Sequence, residues 1–114
     1  FPNATIYGVD ILDQGAECPG CTLVYGDGTK AETYANMPDF DIIIDDGSHE
    51  VDDQIASFKV LYPKLKKGGL YVIEDVPELD RYRSRFLELD NNVEIYDFRN
   101  LKGRIDDIII EIVK

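Results

Sequence analysis

At 114 residues the chain is long enough for one compact domain over residues 1–114 and too short for two, since single domains usually run roughly 100–150 residues. Apolar residues make up 44% of it, enough for a packed interior, yet no apolar stretch approaches the roughly 20 residues of a membrane span, so a soluble protein with no membrane partner is expected. Lys and Arg number 12 against 23 Asp and Glu, and the resulting formal net charge of −11 repels phosphate backbones and argues against nucleic acid.

The chain starts on Phe1, with no initiator Met and no basic or apolar leader segment, which reads as a cut start. Thr5-Ile6-Tyr7-Gly8-Val9-Asp10 is a β-rich run ending on an acid and predicts a strand. A loop follows to Gly20. It holds both cysteines, in Cys18-Pro19-Gly20-Cys21. A structural zinc usually takes four ligands, and there is no second cysteine pair; a redox motif would open a helix, whereas Pro19-Gly20 reads as a turn. The pair leaves at most a mild preference for the cytoplasm.

Thr22-Leu23-Val24-Tyr25 predicts a second short strand closed by Gly26-Asp27-Gly28, and Lys30 to Asn36 a short helix stopped by Pro38. Phe40-Asp41-Ile42-Ile43-Ile44-Asp45 is too continuously apolar for a half-exposed strand, so it is expected to be central and covered on both faces. Beyond Gly47, Val51, Ile55, Phe58 and Leu61 recur at helical spacing, with Ser48 as the expected cap, and Pro63 and Gly68-Gly69 end the helix. Leu70-Tyr71-Val72-Ile73 is another covered strand, and Pro77 opens a helix through Leu89. Val93 to Phe98 and Ile108 to Val113, joined by a loop around Asn100 to Gly103, read as an antiparallel pair at one edge. The whole predicts a single α/β domain with a mostly parallel sheet and helices on both faces.

Parallel strands deliver their carboxyl ends to one edge, where such folds bind ligands. Asp10, Asp27, Asp45-Asp46 and Glu74-Asp75 all follow apolar strands, so six carboxylates gather along one rim. Polar turns explain any single one of these acids; they explain the whole set poorly. Such a cluster repels itself without a cation, and hard divalent ions such as magnesium take carboxylate oxygens. His49, the only histidine, lies three residues past Asp46 at a helix start, where a neutral imidazole suits a base near pH 7. The plainer reading is a histidine bonded to nearby backbone.

Asp41-Ile42-Ile43-Ile44-Asp45-Asp46-Gly47-Ser48-His49, then Gln54 and Phe58, then Leu65-Lys66-Lys67-Gly68-Gly69-Leu70-Tyr71-Val72-Ile73-Glu74-Asp75, resemble the core of the macrocin and mycinamicin sugar O-methyltransferases. These are class I, Rossmann-like enzymes that use S-adenosylmethionine, and cephalosporin hydroxylase-type proteins are similar. The resemblance implies that Asp46, Glu74 and Asp75 bind Mg2+ and that His49 is the general base. It further implies that Asp10 holds the ribose hydroxyls of the cofactor, that Asp27 reaches its adenine amine, and that Asp45 lies near its methionine end. The acceptor would be a sugar or another small molecule bearing a hydroxyl, with the oligomeric state left open. The family's first strand and glycine-rich cofactor loop have no counterpart, since Phe1 stands just before the second strand. A noncatalytic acidic-pocket module remains the alternative, either an inactive scaffold or a receiver-like domain. Receivers need a lysine at the end of a late strand, where this chain has Glu74-Asp75.

Overall fold

The computed structural model describes residues 2–13, 15 and 17–114. In chain order the elements are β1 (Ile6–Asp10), β2 (Cys21–Tyr25), a 3-10 turn (Ala31–Tyr34), β3 (Phe40–Asp45), α1 (Val51–Leu61), a second 3-10 turn (Tyr62–Lys64) and β4 (Leu65–Ile73). There follow α2 (Leu79–Leu87), β5 (Val93–Asp97), the short α3 (Arg99–Lys102) and β6 (Ile108–Val113). The expected loop between Asp10 and Gly20 includes Gln14 and Ala16, which lie outside the described residues, as does the chain start at Phe1.

β1 and β2 pair in parallel, while a separate four-stranded sheet runs in the order β3, β4, β6, β5. β3 and β4 are parallel, and β6 lies antiparallel between β4 and β5. This is the mostly parallel, Rossmann-like arrangement expected, with the antiparallel pair β5 and β6 at its edge. Among the described residues no strand stands between β1 and β3. The two sheets meet through the edge-on rings of Tyr7 and Phe40, 5.8 Å apart, and through Tyr34, which is buried in the common core.

The ladder registers put Ile43, Tyr71, Ile112 and Val93 in one row and Ile73, Ile110 and Ile95 in the next. On that face α1 contributes Val51, Ile55, Phe58 and Leu61 to the core, the helical stripe that the sequence spacing dictates, and α2 contributes Leu79 and Phe86. Arg85 donates to Asp52 at 2.7 Å, tying the two helices side by side. Each fully buried side chain of this kind stabilises the fold by roughly 1.5–3 kcal/mol, which makes Ile108, Ile110 and Ile112 of β6, all at 0% exposure, and Leu65, Tyr71 and Ile73 of β4 the main strand contributions.

The opposite face differs from expectation. Ile42 and Ile44 are 49% and 61% exposed, so Phe40–Asp45 is covered on one face and forms an edge of its sheet rather than its middle. A continuous apolar run predicts two covered faces, and Ile42 and Ile44 show that the second one is left exposed.

β4 begins five residues earlier than Leu70 because the Gly68-Gly69 pair is a bulge inside the strand rather than the turn that ends the preceding helix. The register jumps from Phe40 opposite Leu65 to Ile42 opposite Leu70. Gly68 has φ +78°, and a Cβ on Gly69 would stand 2.9 Å from the Asp41 carbonyl oxygen, so both positions require glycine. The N-cap of α1 is Glu50 rather than Ser48. Ser48 acts one step earlier, donating to Asp53 Oδ2 at 2.7 Å and accepting the Glu50 N–H at 3.3 Å, while Asp52 and Asp53 in the first turn complement the positive helix end.

Cys18 and Cys21 do close a turn, with the Cys21 N–H bonded to the Cys18 carbonyl at 3.1 Å, and they are joined as a disulfide. At the far end of the chain the Lys114 ammonium donates to the carbonyls of Tyr62 and Leu65, each at 2.7 Å, over the Tyr62 ring. The stretch expected as a loop before β6 contains α3, capped by Gly103 in the left-handed region.

Arg99 at the start of α3 is held by Asp97 Oδ2 at 2.6 Å and Asp80 Oδ2 at 2.9 Å. Hydrogen bonds from the Arg99 side chain and N–H lower the Asp97 carboxyl from its ordinary 3.8 to about 2. A depressed carboxyl contributes stability that is fully present above about pH 4 and is lost as pH falls through the folded value near 2. Asp97→Asn is therefore expected to flatten the fall of the unfolding midpoint between about pH 4 and pH 2, followed by urea denaturation. Equal acid slopes in the two proteins would show that Asp97 carries none of that dependence.

Candidate active site

The rim is built by two strand exits. β3 ends at Asp45, and its ladder with β4 runs one step further through the Glu74 N–H bonded to the Asp45 carbonyl at 3.0 Å. Two turns then leave the sheet through backbone that side chains seldom adopt: His49 has φ 57°, Asp75 φ 49° and Glu78 φ 48°. His and Asp tolerate this left-handed region better than most residues, at a cost of roughly 1–2 kcal/mol each. Strain of that kind collects at functional sites because the surroundings must hold it in place.

The turns bring Asp46, His49 and Asp75 together, with one ligand atom from each lying within 4.8 Å of the others. His49 Nε2 and Asp46 Oδ1 are 2.9 Å apart. Glu74, grouped with Asp46 and Asp75 at the sequence level, is not a member of this cluster. Its N–H still follows the β3–β4 ladder, whereas Asp75 has turned out of it. Two carboxylates and an imidazole suit a divalent cation by donor chemistry, with the oxygens matching a hard ion such as Mg2+ better than the nitrogen does.

Asp45 is half-buried. Burial pushes its carboxyl above the usual range, opposed by the Gly47 N–H and by the Tyr71 hydroxyl, which donates to Oδ2 at 3.4 Å. Burial and the Asp45 charge push the Tyr71 hydroxyl well up in turn, so it remains a donor. Gly47 is tight here, since a Cβ would stand 3.1 Å from Asp45 Oδ1.

Asp10 and Asp27 stand at the ends of the neighbouring strands β1 and β2. Asp10 Oδ1 accepts the Leu12 N–H at 3.0 Å and is exposed. Asp27 Oδ1 accepts both the Thr29 hydroxyl at 2.6 Å and the Thr29 N–H at 2.9 Å, and these bonds hold its carboxyl below the usual value. Tyr34 donates to the Gly28 carbonyl at 2.9 Å, fixing the turn that carries Asp27. The candidate residues thus fall in two groups, Asp10 and Asp27 at the ends of β1 and β2, and Asp45, Asp46, His49 and Asp75 at the exits of β3 and β4.

Two contributors were not assigned a role from the sequence. Gln54, 2% exposed on the core stripe of α1, donates through Nε2 to the carbonyls of Glu74 at 3.2 Å and Asp75 at 3.4 Å. An amide standing where the spacing calls for an apolar residue was the available signal. Arg104, before β6, reaches Asp75 Oδ2 at 3.4 Å, and nothing in the local pattern marks it. A cleft of about 230 Å³ opens beside His49, lined in part by Pro77, Glu78, Tyr82 and Arg85.

No protein-family model matches the chain. Among curated proteins it is 46% identical over 81 residues to the demethylmacrocin O-methyltransferase of Streptomyces fradiae, a stretch covering 67% of this chain and 20% of that protein. It is 41% identical over 81 residues, again 67% of this chain and 20% of the other, to the mycinamicin VI 2''-O-methyltransferase of Micromonospora griseorubida. Among solved structures, the MycE methyltransferase of the mycinamycin pathway, in complex with Mg, SAH and mycinamycin VI, superposes with a TM-score of 0.71 and 26% identity. That match covers 99% of this chain and 37% of the other. The chain is related to the sugar O-methyltransferases. It spans about one fifth of the length of the curated relatives it matches. An rRNA methylase from Streptococcus thermophilus, at TM-score 0.63 and 16% identity over 96% of this chain and 73% of its own, shares the methyltransferase fold.

Gln54→Glu keeps the shape of the buried side chain but turns a donor facing two carbonyls into an acceptor. It is expected to cost at least about 2 kcal/mol by chemical denaturation. An unchanged midpoint would show that the amide does not hold the Glu74-Asp75 peptide.

Proposed function

We propose that this chain is the catalytic segment of a metal-dependent, S-adenosylmethionine-dependent O-methyltransferase acting on a hydroxyl of a sugar or other small molecule. The observation that carries the reading is the convergence of Asp46, His49 and Asp75 where β3 and β4 leave the sheet, in the stretch related to sugar O-methyltransferases. The charge of −11 disfavours a nucleic-acid acceptor even though an rRNA methylase shares the fold. A hydroxylated small molecule suits a cleft whose lining mixes the charged side chains of Asp52, Glu78 and Arg85 with Val51, Pro77 and Tyr82. The reading places the protein in the cytoplasm, where S-adenosylmethionine and magnesium are abundant.

In this proposal residues at both sets of strand ends would hold the cofactor. A carboxylate can accept two hydrogen bonds from a vicinal diol, which suits Asp10 to the ribose; Asp27, already ionised and oriented by Thr29, offers an acceptor to the adenine amine. Asp45 lies toward the methionine end. Asp46 and Asp75 hold the cation, and Glu74 would join them only by turning its side chain inward. When bound, that ion would polarise the acceptor hydroxyl and lower its pKa.

The remaining work falls to His49. His49 Nε2 lies 2.9 Å from Asp46 Oδ1, and in the tautomer that donates Nε2–H to this carboxylate the ring is oriented and Nδ1 is left as the acceptor for the hydroxyl proton. S-adenosylmethionine, when bound, would supply the methyl group to that oxygen and leave as S-adenosylhomocysteine, while the left-handed backbone of His49, φ 57°, fixes where its ring stands on the rim.

In the full-length enzyme, His49→Ala should lower turnover by ~10²–10⁴-fold with cofactor affinity nearly unchanged, because a base acts in the transition state. The pH limb set by the imidazole should vanish with it. A variant that keeps both the wild-type rate and the pH limb would remove His49 from the mechanism. Magnesium affinity falling in parallel with the rate would make the residue a ligand instead.

A further inference from the structure

We infer that Arg104 is the built-in counter-ion of the Asp46, His49 and Asp75 group, so that its guanidinium and a divalent cation compete for Asp75 and the segment 103–107 shifts when one replaces the other. The inference rests on the cation reading proposed above and adds a residue to it. Antiparallel β6 starts at the rim where the parallel strands end, and the segment leading into it therefore overhangs the acid group. From there Arg104 Nη2 reaches Asp75 Oδ2 at 3.4 Å.

A cation at ligand distance from the same carboxylate would sit within about 5 Å of the guanidinium. The repulsion between a double and a single charge at that separation, even in water, corresponds to roughly a ten-fold change in affinity. Arg104 has a second acid at hand, its Nε lying 3.6 Å from Asp106 Oδ1. Release from Asp75 therefore leaves the guanidinium paired.

The segment is built to allow the exchange. Gly103 takes φ +70° at its start, a left-handed pivot that costs glycine nothing. Its far end is anchored by the Phe98 N–H on the Asp107 carbonyl at 2.9 Å. Between these points Ile105 is 83% exposed, so no apolar packing holds residues 104 and 105 in place.

The test is a magnesium titration by calorimetry of the wild-type chain, Arg104→Gln and Arg104→Lys. Each is repeated on an Ile105→Trp background, which puts a single tryptophan, selectively excitable above the tyrosine band, in a chain that has none. Arg104→Gln is expected to bind Mg2+ roughly three- to thirty-fold more tightly, and Arg104→Lys, which keeps the charge, to stay near wild type. The tryptophan emission should shift on adding Mg2+ and lose that shift in Arg104→Gln. Equal affinities in wild type and Arg104→Gln overturn the competition, and equal tightening by both substitutions overturns the charge as its cause. If none of the three proteins binds Mg2+, the cation site itself fails, an outcome distinct from a site that binds without regard to Arg104.

Discussion

The hydrogen bond from the Glu74 N–H to the Asp45 carbonyl is the last rung of the β3–β4 ladder, and the site depends on where that rung falls. Both chain segments turn out of the sheet immediately after it, Asp46 to His49 on one side and Asp75 on the other. Side chains alternate along a strand, so a slip of one residue would exchange the two faces and aim Asp45 or Glu74 where Asp46 or Asp75 now points. The register is set at the opposite end of the ladder, by the bulge at Gly68 and Gly69. That bulge absorbs the offset between Phe40 opposite Leu65 and Ile42 opposite Leu70. A glycine pair at the far end of the ladder thus bears on which carboxylates meet.

Gln54 does at the rim what the glycines do at the base. Its amide binds the carbonyls of both Glu74 and Asp75, so the helix that forms the core also fixes the peptide from which Asp75 departs. A buried amide contributes less to packing than a leucine in the same space. Its value lies in orienting backbone that would otherwise be free to turn, and its Oε1 has no hydrogen-bond partner among the described residues.

Much of the fold was legible because apolar spacing and burial follow from the same geometry. The α1 stripe, the short strands and the antiparallel pairing of β5 with β6 all stand where the pattern puts them. Ile42 and Ile44 misled because an apolar run reports what a strand could bury and says nothing of whether a neighbour is present to bury it. Gly68-Gly69 misled because turns and bulges ask for the same residue. Within the candidate site, Asp46 and His49 could be paired from their separation of three residues alone. That Asp75 stands in the group with Asp46 and His49 while the Glu74 N–H stays on the ladder is a matter of backbone torsion, which the sequence pattern does not carry. Arg104 was out of reach, because only the tertiary fold brings a loop cation 29 positions away in sequence to Asp75.

The place of β6 bears on the order in which the molecule can be made. β5 pairs with β6, and the strand it would otherwise have met, β4, is separated from it by β6. Until Ile108–Val113 has left the ribosome, Val93–Asp97 has no ladder to join, and Tyr71 and Ile73 lack the strand that closes one side of their row. β3, α1 and β4 can associate early, since their contacts span short stretches of chain. The sheet can close only in one late step that inserts a very apolar strand between two waiting edges. Those two edges, open together in the nascent chain, are where a chaperone or a second nascent copy would find it.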